Sequence, residues 1–299
     1  MGQLFLVRHG QASFGAEDYD RLSALGATQS ALLGRWFKHC GIPADRIVSG
    51  AMRRHGETAA HCMAAFDTEG VPRIDSLTVD VRLNEFDHAQ VMDVYRNEAH
   101  RTALTLAAVA SLQSSAASGA SGASEASEAS GSRRTSGLSR SSGSLSVGGA
   151  ESSTAVSANV EQAEQATERE SERSTVMSSA ELQRIFALAM ERWMSGEHDH
   201  DYDESWTAFR RRCVDVFESL TDGSDPAKTI VAFTSGGAIA AICQHLLDLT
   251  NKATRELNWS LANTGVTRLL FTKGRRGLGY LNSTAHFDWA REPTSLTYR

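Results

Sequence analysis

The sequence predicts an α/β fold: a three-layer α/β/α sandwich on a mainly parallel sheet, with a long disordered low-complexity insertion. Three observations predict it. Two short runs, Leu4-Phe5-Leu6-Val7 and Thr229-Ile230-Val231-Ala232-Phe233-Thr234, are apolar throughout their interiors, as strands buried on both faces must be. Strand patterns alternate with helical ones on both sides of the insertion, the order that places helices on the faces of a parallel sheet. From about Ser111 to Ser174 the chain is dominated by Ser, Ala, Gly and Glu and has no aromatic residue. Such a segment cannot bury enough apolar surface to offset the entropy of ordering. Neither flank alone has enough strands for a covered sheet, so residues 1–110 and 175–299 are expected to form one discontinuous domain around the insertion 111–174.

The elements follow in order. Leu4–Val7 is the first strand. Ser23 is a helix N-cap, and Leu25, Leu32, Leu33, Trp36 and Phe37 give that helix an apolar face through Lys38. Arg46–Ser49 reads as a second strand, with a helix over Met52–Phe66. Beyond the insertion, helices are expected near Ala180–Met194 and Tyr202–Leu220. Thr229–Thr234 is the clearest buried strand. A helix at Ala238–Leu249 and strands near Val266–Phe271 and Leu278–Asn282 complete the set.

Composition excludes several classes of partner. The 299 residues are 41% hydrophobic, enough for a sizeable core, and the net charge is −6. An acidic chain has no general attraction to nucleic acid or anionic membrane, and no apolar run is long enough to cross a bilayer. The first residues lack the basic start and apolar stretch of a secretory signal, and Leu6 stands where a myristoylation motif needs Ser or Thr. Cys40, Cys62, Cys213 and Cys243 are scattered with no C-x-x-C pair, which fits free thiols and a cytoplasmic location. His198-Asp199-His200-Asp201 reads as a solvated acidic loop, because two alternating histidines without cysteine are weak metal ligands. No metal and no cofactor are expected.

In a doubly wound sheet, ligands sit beyond the carboxyl ends of the strands. Three polar groups fall there: Arg8-His9-Gly10, Ser49-Gly50 and Thr234-Ser235-Gly236-Gly237. Glycine lets backbone approach a ligand, and helix N-termini favour anions. Arg8 cannot shed its charge and needs an anion at the end of a buried strand. Arg53 and Arg54, opening the next helix, bring a second guanidinium towards the same point. A histidine between arginines is held neutral by like charge, and one ring nitrogen is then nucleophilic. Taken alone, His9-Gly10 is more often a packed or loop histidine; Arg8 and the strand before it favour a phosphate site with a covalent nucleophile.

These motifs together resemble the histidine phosphatase (phosphoglycerate mutase-like) superfamily. Arg8-His9-Gly10 is followed by Asp20-x-Leu22-Ser23-x-x-Gly26-x-x-Gln29. Gly50–Ala59 is similar to the second-arginine motif, in which Arg precedes Thr-Ala by four residues, so Thr58-Ala59 assigns that role to Arg54. Leu83-Asn84-Glu85 resembles the acid motif, and Thr229–Gly237 the strand-and-glycine motif that closes the pocket. The resemblance covers roughly residues 3–100 and 180–290. It implies that His9 is phosphorylated, that Arg8 and Arg54 bind the phosphate oxygens, and that Glu85 is first acid and then base. Gln11, Ser235 and Gly236 are the further candidates for contact with substrate, which is expected to be a small phosphorylated molecule. The implied activity is that of a metal-independent phosphatase acting on a phosphomonoester.

One position departs from the pattern. Ser235 stands where the family usually has a second histidine. By analogy with deleting an oxyanion donor, the change would lower the rate by about 10²–10³, or roughly 3–4 kcal/mol. Arg53, His55 and His286 are the candidates to replace the missing imidazole. The departure keeps two alternatives beside the phosphatase reading: mutase-type phosphoryl transfer, and a weakly active or non-catalytic phosphate-binding protein.

Overall fold

The computed structural model describes residues 1–13, 20–66, 77–121, 179–223 and 226–298. They divide into two compact units, one made of Met1–Tyr95 with Leu188–Arg299 and the other of Arg96–Ala187.

The first unit is built on a sheet of six strands: β1 (Gly2–Arg8), β2 (Arg46–Ser49), β3 (Thr78–Val79), β4 (Thr229–Thr234), β5 (Val266–Thr272) and β6 (Arg275–Ser283), in the order β3-β2-β4-β1-β5-β6. The pairs β3–β2, β2–β4 and β4–β1 are parallel, while β1–β5 and β5–β6 are antiparallel. The helices of this unit include α1 (Ala24–His39), α2 (Arg53–Phe66), and the start of α3 (His88–Ser121). They continue with the end of α4 (Ser179–Ser195), α5 (Trp206–Thr221), α6 (Gly236–Leu247), α7 (Asn251–Ser260) and α8 (Ala285–Ala290). The described part of the second unit consists of the remainder of α3 and the first turns of α4.

Period-two alternation in strands that are apolar throughout gives the sheet two buried faces. Phe5, Val7, Ile47, Val231 and Phe233 point to one face and pack with Leu33 and Phe37 of α1 and Ala59, Cys62 and Phe66 of α2. Leu4, Leu6, Val48, Ile230 and Ala232 point the other way and are equally buried, on the side where α5 and α6 contact β1. Each fully buried Phe or Leu contributes about 1.5–3 kcal/mol. The Ser23 hydroxyl caps α1 by accepting from the Gly26 N–H at 3.0 Å.

The expected strands and helices are all present, with bounds shifted by a few residues; the largest shift is at α5, which starts at Trp206 rather than Tyr202. The elements β3, α3, α7 and α8 were not anticipated. Helix α3 runs on to Ser121, into the segment expected to lack structure, where alanine, the strongest helix former, is frequent. The rest of that segment, from 122 onward, lies outside the described residues.

For the site, the register matters most. Arg8 pairs with Thr234 and Ser49 with Phe233, so β1, β2 and β4 release their chains at one edge of the sheet.

Candidate active site

His9 is the first residue beyond β1, and backbone groups fix it from several sides. Its N–H donates to the Thr234 carbonyl at 2.8 Å, extending the ladder one residue past the strand. Its own carbonyl accepts from Thr264 N–H at 3.3 Å and from Asn263 Nδ2 at 3.2 Å. The next N–H, of Gly10, donates to Thr58 Oγ1 at 3.0 Å, and that hydroxyl donates to the Arg54 carbonyl at 2.7 Å. Thr58 therefore ties the histidine loop to the first turn of α2.

The ring is buried, and its Nδ1 lies 2.7 Å from the Gly10 carbonyl. A carbonyl can only accept, so the proton resides on Nδ1 and Nε2 carries the lone pair. Burial first, then the charges of Arg54 and Arg8 and the neighbouring His55, hold the His9 pKa well below the usual value of 6.5. The imidazole is neutral at pH 7 and nucleophilic at one nitrogen.

Two guanidiniums flank it. Arg8 donates through Nη1 to the carbonyl of Leu261 and, at 2.9 Å, to that of Tyr298. Arg54, in the first turn of α2, has a side chain only 7% exposed and pairs through Nη1 with Asp20 Oδ1 at 2.6 Å. Asp20 Oδ2 accepts from the Arg53 N–H at 2.8 Å, which places a carboxylate at the positive end of α2. The Arg53 side chain is half exposed and bonds Glu57 at 2.8 Å, whereas Arg54 turns inward. The resemblance to the second-arginine motif had assigned that role to Arg54.

Glu85 is buried as well. Its Oε2 accepts from the Gly237 N–H at 3.0 Å, at the start of α6. The turn that carries it is fastened by Thr234 Oγ1 donating to the Leu83 carbonyl at 2.6 Å and by Asn84 Oδ1 accepting from the Ala51 N–H at 2.6 Å. Arg212 of α5 donates to the carbonyls of Arg82 at 2.9 Å and Asn84 at 2.7 Å, and pairs with Glu204 at 2.6 Å. Gly236 opens α6 beside Arg8: a Cβ there would lie 3.6 Å from Arg8 Nε. Gln11 is tied to the start of α1, its N–H donating to Gln29 Oε1 and its Oε1 accepting from Ser23 Oγ, both at 2.8 Å.

Of the three candidates to stand in for the missing imidazole, one lies at Ser235. His55 is fully buried, and its Nε2 is 2.6 Å from Ser235 Oγ. His286 instead bonds Thr264 Oγ1 at 2.9 Å, packs on Trp36 and Phe287, and is pushed by burial to a pKa of about 4; it buttresses the backbone behind His9 and carries no charge at neutral pH. Arg53 points outward, as above. His88, at the start of α3, was not singled out in the sequence. It is half-buried against Phe86, and desolvation lowers its pKa, with Glu85 opposing and Arg54 and Arg8 adding to the effect. That set of neighbours places it within electrostatic reach of the same cluster.

Elsewhere the structure assigns packing. Trp193 and Trp206 are core residues in edge contact at 5.2 Å, while Trp289 is exposed and stacks on His39. Asn282 Oδ1 accepts from the Ala262 N–H at 2.8 Å and helps end β6. Among the described residues, no group of three or more His, Cys, Asp or Glu side chains is placed to hold a metal ion; Asp201 of the acidic loop pairs instead with Arg192 at 2.5 Å. The four cysteines are free thiols, with Cys62, Cys213 and Cys243 buried. Among the described residues, no helix is long and apolar enough to cross a membrane.

A neutral histidine, two arginines and a buried carboxylate gather where β1, β2 and β4 end. The model of the histidine phosphatase superfamily, branch 1, matches residues 4–133 and 135–284. The chain belongs to that superfamily. Two solved structures are similar to this chain in fold. A phosphoglycerate mutase from Bacillus anthracis has a TM-score of 0.54 at 13% identity, covering 97% of this chain and 97% of its own. A phosphoserine phosphatase variant from Entamoeba histolytica, crystallised with phosphoserine, has a TM-score of 0.50 at 16% identity, covering 96% and 99%. Membership of the superfamily supports phosphatase or phosphoryl-transfer chemistry.

Proposed function

We propose that this histidine phosphatase hydrolyses a small phosphomonoester through a phosphohistidine on His9, without a metal ion. The observation that carries the reading is the His9 ring itself: Nδ1 is held on the Gly10 carbonyl, and Nε2 is left as a buried, neutral nucleophile between Arg8 and Arg54.

In the first step the Nε2 lone pair attacks phosphorus and the bond to the leaving oxygen breaks. Glu85, in its protonated form, gives its proton to that oxygen. The transferring group spreads negative charge over its equatorial oxygens, and Arg8 and Arg54 balance it. In the second step the Glu85 carboxylate takes a proton from water as the water oxygen attacks phosphorus. The P–Nε2 bond breaks, inorganic phosphate leaves, and both groups return to their starting states. Gln11 and Gly236 line the phosphate side, the first held by its bonds to α1 and the second presenting backbone at the positive end of α6.

The test is phosphate release from p-nitrophenyl phosphate by purified protein in EDTA. Release is expected in wild type and not in His9→Ala, and brief exposure to substrate is expected to leave an acid-labile phosphoryl group on His9. Full activity in His9→Ala would overturn the mechanism, and loss of wild-type activity in EDTA would overturn metal independence.

A further inference from the structure

We propose that Ser235 is a catalytic hydrogen-bond donor to the transferring phosphoryl group, and that His55 is the positioning residue that directs its hydroxyl by donating to Oγ from Nε2. The inference rests on the phosphatase reading above and deepens it.

Ser235 is the N-cap residue of α6, where a serine oxygen ordinarily accepts from an N–H of the first turn. Here it makes no such bond. The N–H it would serve, that of Gly237, is taken by Glu85. The hydroxyl is thereby released from capping, and among the described residues its hydrogen-bond partner is His55 Nε2 at 2.6 Å. Register places the two residues next to each other: Arg8 pairs with Thr234, so His9 and Ser235 leave the sheet side by side. The rings of His9 and His55 are 5.8 Å apart between centroids.

The direction of the His55–Ser235 bond follows from the other ring nitrogen. His55 Nδ1 is buried and has no hydrogen-bond partner among the described residues; it lies against Gly50, where a Cβ would be 2.3 Å away. A proton on Nδ1 would be a buried donor without an acceptor. A proton on Nε2 is satisfied by Ser235 Oγ and leaves only a lone pair facing Gly50. With Oγ accepting from His55, the serine proton has no described acceptor within the protein and is available to a phosphoryl oxygen beside His9. Burial and the charge of Arg54 hold the His55 pKa at about 3, so the pair donates as a neutral unit throughout the range in which His9 works. The pair thus supplies a donor where the family pattern has a second histidine.

The test uses Ser235→Ala, His55→Ala, His55→Gln and the double alanine variant, with single-turnover formation of phosphohistidine, steady-state kcat and KM on p-nitrophenyl phosphate, and thermal melting. Ser235→Ala is expected to melt like wild type and to lose about 10²-fold in kcat and in phosphohistidine formation, the scale of one oxyanion donor, with KM changed less than about threefold. His55→Gln, which keeps a neutral N–H near the Nε2 position, is expected to retain more than about a tenth of the wild-type rate. His55→Ala should fall to the level of Ser235→Ala, and the double variant no further, because the two act as one unit. Ser235→Ala within about twofold of wild type, in a wild type that does label on His9, would overturn this inference and leave the phosphatase reading standing. So would losses that multiply in the double variant. A wild type that turns over without labelling His9 would overturn both.

Discussion

Glu85 stands where the Ser235 side chain would normally cap α6: its Oε2 accepts from the Gly237 N–H at 3.0 Å, and a Cβ on Gly237 would lie 2.1 Å from Oε1. One contact therefore anchors the carboxylate and frees the serine hydroxyl. The second glycine of Gly236-Gly237 is needed for the approach of a side chain as much as for the approach of a ligand.

Gly237→Ala should on that account displace Glu85 rather than unfold the protein. With Glu85 acting as the acid, kcat is expected to fall by about 10²-fold or more on an alkyl phosphate, within the range for a misplaced general acid. The fall should be smaller on p-nitrophenyl phosphate, whose leaving oxygen needs little protonation. Steady-state kinetics on the two esters check this, and equal losses on both would show that Glu85 is not the proton donor.

Arg212 fastens the backbone of the turn that carries Glu85. It donates to the carbonyls of Arg82 and Asn84, bonds both oxygens of Glu204, and lies 4.6 Å over the Phe209 ring. A lysine has neither the planar fork nor the number of donors to replace it. Arg212→Lys is expected to cost about 1–3 kcal/mol through half-buried carbonyls left without a donor, and to lower kcat by shifting Glu85. Urea titration with an unchanged m-value reads the first effect; an unaltered midpoint would refute it.

The parts of this site legible in the sequence are those set by strand ends and short spacings. All-apolar runs marked β1 and β4 and so located Arg8, His9, Ser235 and Gly236, while only the resemblance to the family's second-arginine motif chose Arg54 over Arg53. Partners distant in sequence were legible only as a short list: His55 was one of three candidates named for Ser235, and the sequence could not choose among them. His55 and Ser235 are 180 residues apart and meet only through the registers of β2, β4 and β1. Strand β3 is two exposed residues, Thr78 and Val79, too short to show a period, and α7 is largely polar. Arg212 was hidden in Arg210-Arg211-Arg212: helical spacing sets the exposed Arg211 apart, but Arg210 and Arg212 both flank the buried stripe of Trp206, Phe209, Cys213 and Val216 and are both half-buried.

If Arg54 binds phosphate as proposed, Asp20 competes for it. Its Oδ1 is 2.6 Å from Arg54 Nη1, while its Oδ2 accepts from the Arg53 N–H. Asparagine can keep the acceptor towards the backbone and removes the charge that competes for the guanidinium. The Asp20 side chain is 40% exposed, so the competing ion pair is worth only about 0.2–1 kcal/mol. Asp20→Asn is expected to bind orthovanadate about two- to fivefold more tightly by isothermal titration. Weaker binding would mean that orienting Arg54 outweighs competition for it.

Buried neutral histidines should also make the fold acid-sensitive before its carboxylates titrate. In the unfolded chain a histidine takes up a proton near pH 6.5; in the fold His286 does so only near 4 and His55 near 3. Between those values the unfolded state binds the extra proton, so stability falls as pH drops, by about 1.4 kcal/mol per unit for each such histidine. His286 allows a clean test because it lies behind the reaction centre and bonds only Thr264 Oγ1 among the described residues. His286→Gln keeps an amide near that hydroxyl and cannot titrate. Whatever the substitution costs at pH 7.5, the balance should move in favour of the variant by about 2 kcal/mol at pH 5.0, read from urea midpoints at the two values. Midpoints that shift in parallel would show that His286 is protonated in the native protein, because the folded and unfolded chains would then take up the same proton together.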